Sequence, residues 1–213
     1  MKQLIPCGNN HIFVCGLTRS GKSYFARNAL RLCPYPVLYL NIQDEKIPGF
    51  MKVNADRIYM KQLIEALHDG NKIALSFNNI NLAYSETFNY IVSFLVNRGG
   101  FSESDPMYLA IDECHLIHGS GKEAARMVST AGLKKGIRCM WITQRPAICD
   151  KTIYTQALEH YIFYIPAADR EYMRTKGINY DDCLPLWGEQ GSRQYVYYDG
   201  YNLEGRPAIK GGI

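Results

Sequence analysis

The sequence lacks a hydrophobic run long enough to cross a membrane. Its longest apolar stretch is I-V-S-F-L-V at 91–96, whereas a spanning helix needs roughly 20 such residues. A secretory signal is also missing, because the apolar region after Met1 is too short. No internal repeat, low-complexity tract or linker interrupts the 213 residues. We therefore expect a single domain over residues 1–213 with no transmembrane segment of its own.

The cysteines lack the spacing of a redox or zinc motif. Their number is seven, which is odd, and no two form a C-x-x-C pair. They are Cys7, Cys15, Cys33, Cys114, Cys139, Cys149 and Cys183. We interpret them as free thiols of a reducing compartment. The segment C-H-L-I-H at 114–118 contains residue types that bind metals, but without a second cluster it does not predict a metal site.

A strong charge of either sign is also absent. The formal net charge is +4, with 21% charged and 47% hydrophobic residues. These values are ordinary for a globular domain and neither demand nor exclude nucleic acid. The basic groups that come nearest to a DNA-contact pattern are K-K-G-I-R at 134–138 and the residues Arg170, Arg174 and Lys176. We interpret both groups mainly as solvated surface.

What the sequence does contain is an alternation of apolar runs and helix-like segments. Predicted strands lie at 11–16, 36–41, 72–77, 107–112, 138–144, 161–166 and 193–198. Predicted helices lie at 21–32, 57–69, 83–98, 121–135 and 168–176. The strands are nearly continuous apolar runs, which is typical of a sheet buried on both faces. The pattern predicts an α/β fold with a mostly parallel sheet flanked by helices, and the last strand is a candidate antiparallel edge strand.

Between the first strand and the first helix, residues 16–23 read G-L-T-R-S-G-K-S. This matches G-x-x-x-x-G-K-[S/T], in which glycines let backbone N–H groups wrap a polyphosphate at the N-terminus of a helix. Lys22 then reaches the β- and γ-phosphates, and the Ser23 hydroxyl binds Mg²⁺. The predicted ATP-binding residues are Gly16, Leu17, Thr18, Arg19, Ser20, Gly21, Lys22, Ser23 and Tyr24. A plain glycine-rich turn does not explain why lysine and serine follow.

The strand at 107–112 ends in two adjacent acids, in the sequence M-Y-L-A-I-D-E. Beside a phosphate loop, an acid at a strand tip is placed to bind Mg²⁺, so we predict this role for Asp112. Glu113 is predicted to accept a proton from the attacking water or to orient that water. A catalytic acid at this place favours hydrolysis of ATP by water over phosphoryl transfer to a small molecule.

The next strand, R-C-M-W-I-T-Q at 138–144, ends in polar residues that are followed by R-P. In a sheet of this kind the strand lies beside the acidic strand, so that its tip faces the γ-phosphate. We predict that Gln144 hydrogen-bonds the phosphate or the water and acts as a sensor of hydrolysis.

These three motifs, in this order, resemble those of the HerA/FtsK superfamily of DNA-pumping ATPases. The motifs are G-L-T-R-S-G-K-S, L-A-I-D-E-C-H and W-I-T-Q-R-P, and the resemblance covers residues 11–166. It implies a RecA-like P-loop NTPase core with an extra strand between the phosphate-loop strand and the Asp-Glu strand. It also implies a homo-oligomeric ring, hexameric or pentameric, that moves double-stranded DNA with ATP and Mg²⁺.

The resemblance further implies an arginine that a neighbouring subunit supplies to the site. Arg138 is the candidate, because the start of its strand lies far from the nucleotide of its own subunit. Arg145 and Arg126 are alternatives, and so is a plain surface role for Arg138. Relatives often carry an Arg-Lys pair before this strand, whereas this sequence has Lys134 and Lys135.

A chain of 213 residues is similar in size to the genome-packaging ATPases of viruses with an internal membrane and a double-jelly-roll capsid. This resemblance implies packaging of viral DNA in the cytoplasm of the host cell or on the virion, with capsid-vertex or membrane proteins as further partners. The alternatives are a conjugation or repair translocase, a filamentous-phage morphogenesis ATPase, and a nucleotide-gated binding module with negligible turnover.

Overall fold

The computed structural model describes residues 7–57, 59–77, 80–175, 181, 194–199 and 209–212. The strands in this part of the chain are β1 (Ile12–Cys15), β2 (Val37–Asn41), β3 (Met51–Asn54), β4 (Lys72–Ser76), β5 (Met107–Ile111), β6 (Ile137–Thr143), β7 (Glu159–Ile162), β8 (Gln194–Asp199) and β9 (Ile209–Gly212). The α-helices are α1 (Lys22–Leu32), α2 (Met60–His68), α3 (Ile80–Arg98), α4 (Ser120–Ala131), α5 (Lys151–Gln156) and α6 (Ala167–Thr175). Short 3₁₀ turns lie at Ala55–Arg57, Cys114–Leu116, Leu133–Lys135 and Pro146–Ile148.

All of these strands join one sheet, in the order β3-β4-β2-β5-β6-β1-β7-β8-β9. The pairs among β1 to β7 are parallel, and β8 and β9 continue the sheet in antiparallel pairing. β6 lies between β1 and β5, which is the extra strand that the resemblance implies. The predicted α/β fold, mostly parallel with antiparallel pairing at the C-terminal edge, is confirmed.

Both faces of the sheet are covered by helices. Successive residues of a strand point to opposite faces. On one face Ile12 and Val14 of β1 pack with Phe25 and Leu30 of α1. On the other face Phe13 packs in a larger cluster that includes residues of α2 to α6. Since β1, β5 and β6 are buried along their whole length, their sequences are apolar without alternation.

The longest described helix, α3, has 19 residues and ends at Arg98. It ends where the sequence predicts, at Gly99 and Gly100, and Gly100 has a left-handed φ of 75°. The helix begins at Ile80, three residues before the predicted start at 83. None of the described helices combines the length and the apolar character that a bilayer crossing requires.

The sequence does not predict β3, β9 or α5. β3 is a four-residue edge strand, M-K-V-N, that is exposed or half-buried, so it has no continuous apolar run. α5 has only six residues and begins at a local cap, in which the Asp150 side chain accepts the Thr152 N–H at 3.0 Å.

The prediction of a strand at 161–166 is wrong in its bounds, because β7 spans Glu159–Ile162. Two polar residues begin β7, and one of them, His160, is buried. Beyond the strand the chain still pairs with its neighbour, since the Phe163 N–H donates to the Cys15 C=O at 2.8 Å. The apolar run therefore continues past the strand to support the loop that follows β1.

Candidate functional site

The carboxyl ends of β1, β6 and β5 meet at one edge of the sheet. Thr143 at the end of β6 pairs with Cys15 at the end of β1, and β5 lies on the other side of β6. The segments that leave these ends carry the phosphate-loop motif, Gln144, and Asp112 with Glu113. Ligands of open parallel sheets bind at this edge. The structure therefore brings the three sequence motifs together.

The loop between β1 and α1 is held by the strands on both sides of it. The Gly16 N–H donates to the Thr143 C=O at 3.2 Å, and the Leu17 N–H donates to the Tyr164 C=O at 2.9 Å. Gly16 has a φ of 155°, and a Cβ there would lie 2.4 Å from the Phe163 Cβ. Only glycine fits this position.

The loop ends in the first turn of α1. Gly21 has a φ of 101°, and the first backbone bond of the helix runs from the Phe25 N–H to the Gly21 C=O at 2.9 Å. The earlier amide groups of the helix have no acceptor within it and form its positive end, which stabilises anions. Beside them the Ser20 Oγ is buried, and no group in the described residues bonds to it. The oxygens of bound phosphate groups would supply acceptors for these donors.

A cavity of about 360 Å³ opens at this end of α1. It is lined by Arg19, Gly21, Lys22, Ser23 and Tyr24. Lys22 is 4% exposed and Tyr24 is 60% exposed, so a lysine lies in the buried part and an aromatic ring lies toward solvent. Five of the predicted ATP-binding residues thus surround one space.

Asp112 follows β5 directly and is completely buried. Its Oδ2 accepts a hydrogen bond from the Tyr39 hydroxyl at 2.8 Å, and its Oδ1 accepts the Glu113 N–H at 3.1 Å. Burial raises the pKa of the Asp112 carboxyl above its ordinary value, and the Tyr39 hydrogen bond opposes this shift. The nearby charges of Arg27 and Lys22 also oppose it. The carboxyl group is therefore held in one orientation by two neutral donors.

Glu113 has a left-handed backbone conformation with a φ of 48°, and the residue is 5% exposed. Its Oε2 lies 3.3 Å from the His115 Nδ1 and 3.4 Å from the Gln144 backbone nitrogen. Burial raises the pKa of Glu113, the charge of Lys22 opposes this shift, and the charge of Asp112 adds to it. A carboxyl group whose pKa is raised toward neutrality is suited to accept a proton from water.

Gln144 connects the tip of β6 to the phosphate loop. The Thr18 hydroxyl donates to the Gln144 Oε1, and the Gln144 N–H points to Glu113. The predicted sensor thus contacts both the loop and the acidic strand tip. The structure places it where the sequence predicts, and its role in hydrolysis stays a prediction.

Asp112 and Ser23 are the residues that would hold a magnesium ion. Carboxylate and hydroxyl oxygens are ligands of the type that Mg²⁺ takes. Asp112 lies at the tip of β5, and Ser23 lies in the first turn of α1 and lines the cavity. This pair of donors fits the ion that the sequence motif requires.

The segment 114–118 does not form a metal cluster. The Cys114 Sγ lies 3.7 Å from the Cys149 Sγ, His115 faces the tip of β6, and His118 bonds a serine of α3. Within the ranges that the structure describes, no group of three or more His, Cys, Asp or Glu side chains could hold a metal ion. These side chains serve packing and the acidic strand tip instead.

Arg138 lies near the start of β6, about 16 Å from the strand tip at 3.3 Å per residue. It is 6% exposed, and its Cζ lies 4.6 Å from the centroid of the Tyr35 ring. Its NH1 is buried and has no partner in the described residues. Of the alternatives, Arg126 pairs with Asp150 at 2.7 Å, and Arg145 is exposed beside Gln144. Arg138 thus lies far from the phosphate loop of its own subunit, as the sequence predicts. Its role as an arginine finger stays a prediction.

Sequence reasoning missed two residues of this site, Tyr39 and His115. Tyr39 lies inside the buried strand V-L-Y-L-N, where a tyrosine is expected to be core. The signal was its hydroxyl, since a buried phenol needs a hydrogen-bond partner. His115 was considered only as a metal ligand, although it ends the motif L-A-I-D-E-C-H, and its place two residues after Glu113 did not show that its ring turns back to that residue.

The fold and the phosphate loop together define a P-loop NTPase core. Neither a protein-family model nor a curated protein matches the chain. Solved structures do match it. The genome packaging NTPase B204 from Sulfolobus turreted icosahedral virus 2, in complex with AMPPCP, is 14% identical with a TM-score of 0.66, over 97% of this chain and 99% of that chain.

Two larger proteins also contain this fold. The pCW3 conjugation coupling protein TcpA is 13% identical with a TM-score of 0.52, over 95% of this chain and 60% of that chain. EccC (ATPases 2 and 3) from Thermomonospora curvata is 11% identical with a TM-score of 0.56, over 90% of this chain and 37% of that chain. The resemblance to the HerA/FtsK superfamily and its viral packaging ATPases is confirmed by these structures at the level of the fold.

Proposed function

We propose that this protein is an ATP-hydrolysing motor that translocates double-stranded DNA and packages a viral genome into a preformed capsid. The observation that carries the ATPase part is the contact of both strand tips with each other and with the phosphate loop. Glu113 lies beside Gln144, and Gln144 bonds Thr18. The packaging part is supported by the likeness to B204 over nearly the whole length of both chains.

In this proposal the phosphate loop and the first turn of α1 bind the triphosphate. The free amide groups of the turn and the buried Lys22 neutralise its negative charge. Because Gly16 has no side chain, the start of the loop packs directly against Phe163. Tyr24 lies at the solvent side of the same cavity.

Magnesium, when bound, neutralises charge that develops on the phosphate oxygens. Asp112 and Ser23 would hold it. The Tyr39 hydroxyl keeps the Asp112 carboxyl in a fixed orientation, so the carboxyl group does not need to reorganise when a cation arrives.

Glu113 then accepts a proton from the water that attacks the γ-phosphorus. Its raised pKa makes the carboxylate a better base than an exposed glutamate. Gln144 already contacts the loop through Thr18, so loss of the γ-phosphate changes the surroundings of a side chain at the tip of β6. In this proposal the segment that follows β6 moves in response, and this movement couples hydrolysis to motion of the subunit.

The motor would act as a single-domain subunit of a homo-oligomeric ring, hexameric or pentameric, around double-stranded DNA. Exposed Lys134 and Lys135 are the stronger candidates for phosphate-backbone contacts. Arg170 and Arg174 both pair with Asp181, so their charges are partly compensated. Lys176, which belongs to the same predicted cluster, lies outside the described residues.

Replacement of Glu113 by Gln tests the proposal. The amide keeps the shape of the side chain but cannot take the proton, so we expect ATP turnover to fall by about 10²–10⁴-fold while nucleotide affinity is retained. The wild-type protein is expected to show DNA-stimulated turnover and a larger oligomer mass with nucleotide. Exposed Glu103 supplies the matched control, and Glu103→Gln should behave as wild type. Equal turnover in the Glu113→Gln variant and the wild type would indicate a nucleotide-gated binding module.

A conjugation translocase is the second candidate, and the likeness to TcpA favours it. The fold alone does not determine which polymer is bound, because EccC was solved in complex with a signal sequence peptide. Both candidates predict DNA-stimulated ATP hydrolysis. They differ in the neighbouring genes, since a packaging motor is expected beside a double-jelly-roll coat protein, and a conjugation motor beside transfer genes. The remaining expectations, a place in the host cytoplasm or on the virion and contacts with capsid-vertex or membrane proteins, depend on the same choice.

A further inference from the structure

We propose that His115 is a positioning residue that holds the Glu113 carboxylate in the orientation needed to take a proton from water. This inference rests on the proposed ATP hydrolysis. It assigns a function to the last residue of the motif L-A-I-D-E-C-H, for which the sequence predicts no role.

The first support is the place of the His115 ring. His115 lies in the 3₁₀ turn Cys114–Leu116 that follows β5, and its side chain is 7% exposed. The Nδ1 is 3.3 Å from the Glu113 Oε2 and 3.1 Å from the Thr143 Oγ1. The ring therefore bridges the tips of β5 and β6, and the same nitrogen faces both.

The second support is the distribution of contacts over the two carboxylate oxygens of Glu113. In the described residues the Gln144 N–H donates to Oε2, and the His115 Nδ1 lies 3.3 Å from the same oxygen. Oε1 remains for the water. The Gln144 hydrogen bond is long at 3.4 Å, so by itself it holds the carboxylate weakly, and the imidazole at 3.3 Å is the second group placed to orient it.

The third support is the protonation state that this contact requires. Burial lowers the pKa of His115 to about 4, and the charges of Arg145 and Lys22 act in the same direction. The ring is neutral at pH 7, so it has one N–H. A carboxylate oxygen only accepts, so the proposed contact requires that proton on Nδ1, where the Thr143 Oγ1 can accept it as well. The neutral ring orients Glu113 without forming an ion pair that would weaken it as a base.

Two substitutions of His115 distinguish a donor at the Nδ1 position from a donor elsewhere on the ring. Asn places its amide nitrogen near the Nδ1 position, whereas Gln extends it toward the Nε2 position. We expect kcat of His115→Gln to be about tenfold or more below that of His115→Asn, with KM for ATP and nucleotide affinity unchanged in both, because a positioned base contributes 10²–10⁴-fold. Equal losses in both variants, a loss confined to KM, or equal retention of kcat would overturn the role.

A spectroscopic measurement keeps the inference testable if a variant fails to fold. In ¹⁵N-histidine-labelled wild-type protein, we expect the His115 signal to show the proton on Nδ1, and a neutral ring protonated on Nε2 alone would refute the proposal. The ATPase assay of the wild type separates this outcome from failure of the proposed function. A wild type without turnover ends both proposals, whereas an active wild type with equal Asn and Gln variants ends only this one.

Discussion

At position 16 the chain has no room for a side chain. A Cβ on Gly16 would lie 2.4 Å from the Phe163 Cβ and 2.9 Å from the Ser20 Oγ. We expect Gly16→Ala to lower the free energy of unfolding by about 2–4 kcal/mol, since the clash adds to the cost of a positive φ. Nucleotide binding should be lost as well, because the loop must shift. Chemical denaturation and a nucleotide titration measure the two effects.

Gly70 is the matched control for this substitution. It also has a positive φ, of 81°, but a Cβ there would meet nothing within 4 Å. Gly70→Ala should therefore cost only about 1 kcal/mol, the backbone part of the penalty, and nucleotide binding should be retained. Similar losses in the two variants would show that the contact with Phe163 is unimportant.

The residues of the site differ in how well the sequence predicts them. Asp112 and Gln144 were predictable because each follows an apolar strand, and the ends of parallel strands gather at one edge. His115 was not, since its orientation depends on the 3₁₀ turn Cys114–Leu116, which has no sequence signal of its own. The role of Tyr39 was not predicted either, because a tyrosine inside an apolar strand is expected to be a core residue. Motif spacing thus predicts the residues at the strand tips better than those that hold them in place.

Between elements, His11 fastens the start of β1 to β6. Its Nδ1 accepts the Cys139 N–H at 2.9 Å, and burial lowers its pKa to about 4. Because the unfolded chain takes up this proton near pH 6.5 and the folded chain does so only near 4, stability is present above pH 6.5 and is lost as the pH falls toward 4. This residue alone accounts for up to about 3 kcal/mol.

The substitution His11→Asn tests this linkage. The Asn Oδ1 can accept the same N–H but does not titrate, so the melting temperature should fall less steeply between pH 6.5 and 4 than in the wild type. Part of the slope should remain, because burial also lowers the pKa of His160 to about 4. An unchanged slope would assign the acid sensitivity to other groups.

Strands and helices followed the sequence where burial dictates composition. The central strands β1, β2, β5 and β6 are buried on both faces, so their apolar runs predicted them well. At the edge of the sheet, strands are less buried, and composition no longer predicts them. β3 has two exposed residues and, among the described strands, pairs only with β4, so nothing in its composition required a strand. β7 begins with two polar residues, Glu159 and His160, which pair with Ile12 and Phe13 of β1, so the start of this strand has no apolar signal.

At the scale of the assembly, Arg138 provides a test of whether neighbouring subunits of the proposed ring share an active site. Its guanidinium is stacked on Tyr35 with one nitrogen unpaired, and as a finger it would exchange this contact for the phosphate of the next subunit. If subunits of Arg138→Ala, which keep their own site, are mixed with subunits of Glu113→Gln, which keep the arginine, ATPase activity should reappear, since a Glu113→Gln neighbour supplies the missing arginine. No recovery in the mixture would exclude Arg138, and Arg145 would be tested next.

The position of β6 between β1 and β5 has a consequence for synthesis. The ribosome makes the phosphate loop early, but Asp112 and Gln144 emerge only after most of the central strands. A nascent or prematurely terminated chain that stops before residue 144 contains Lys22 and yet no finished sheet edge. Under the proposed function we expect such a fragment not to hydrolyse ATP, so turnover would begin only in chains that extend beyond residue 144.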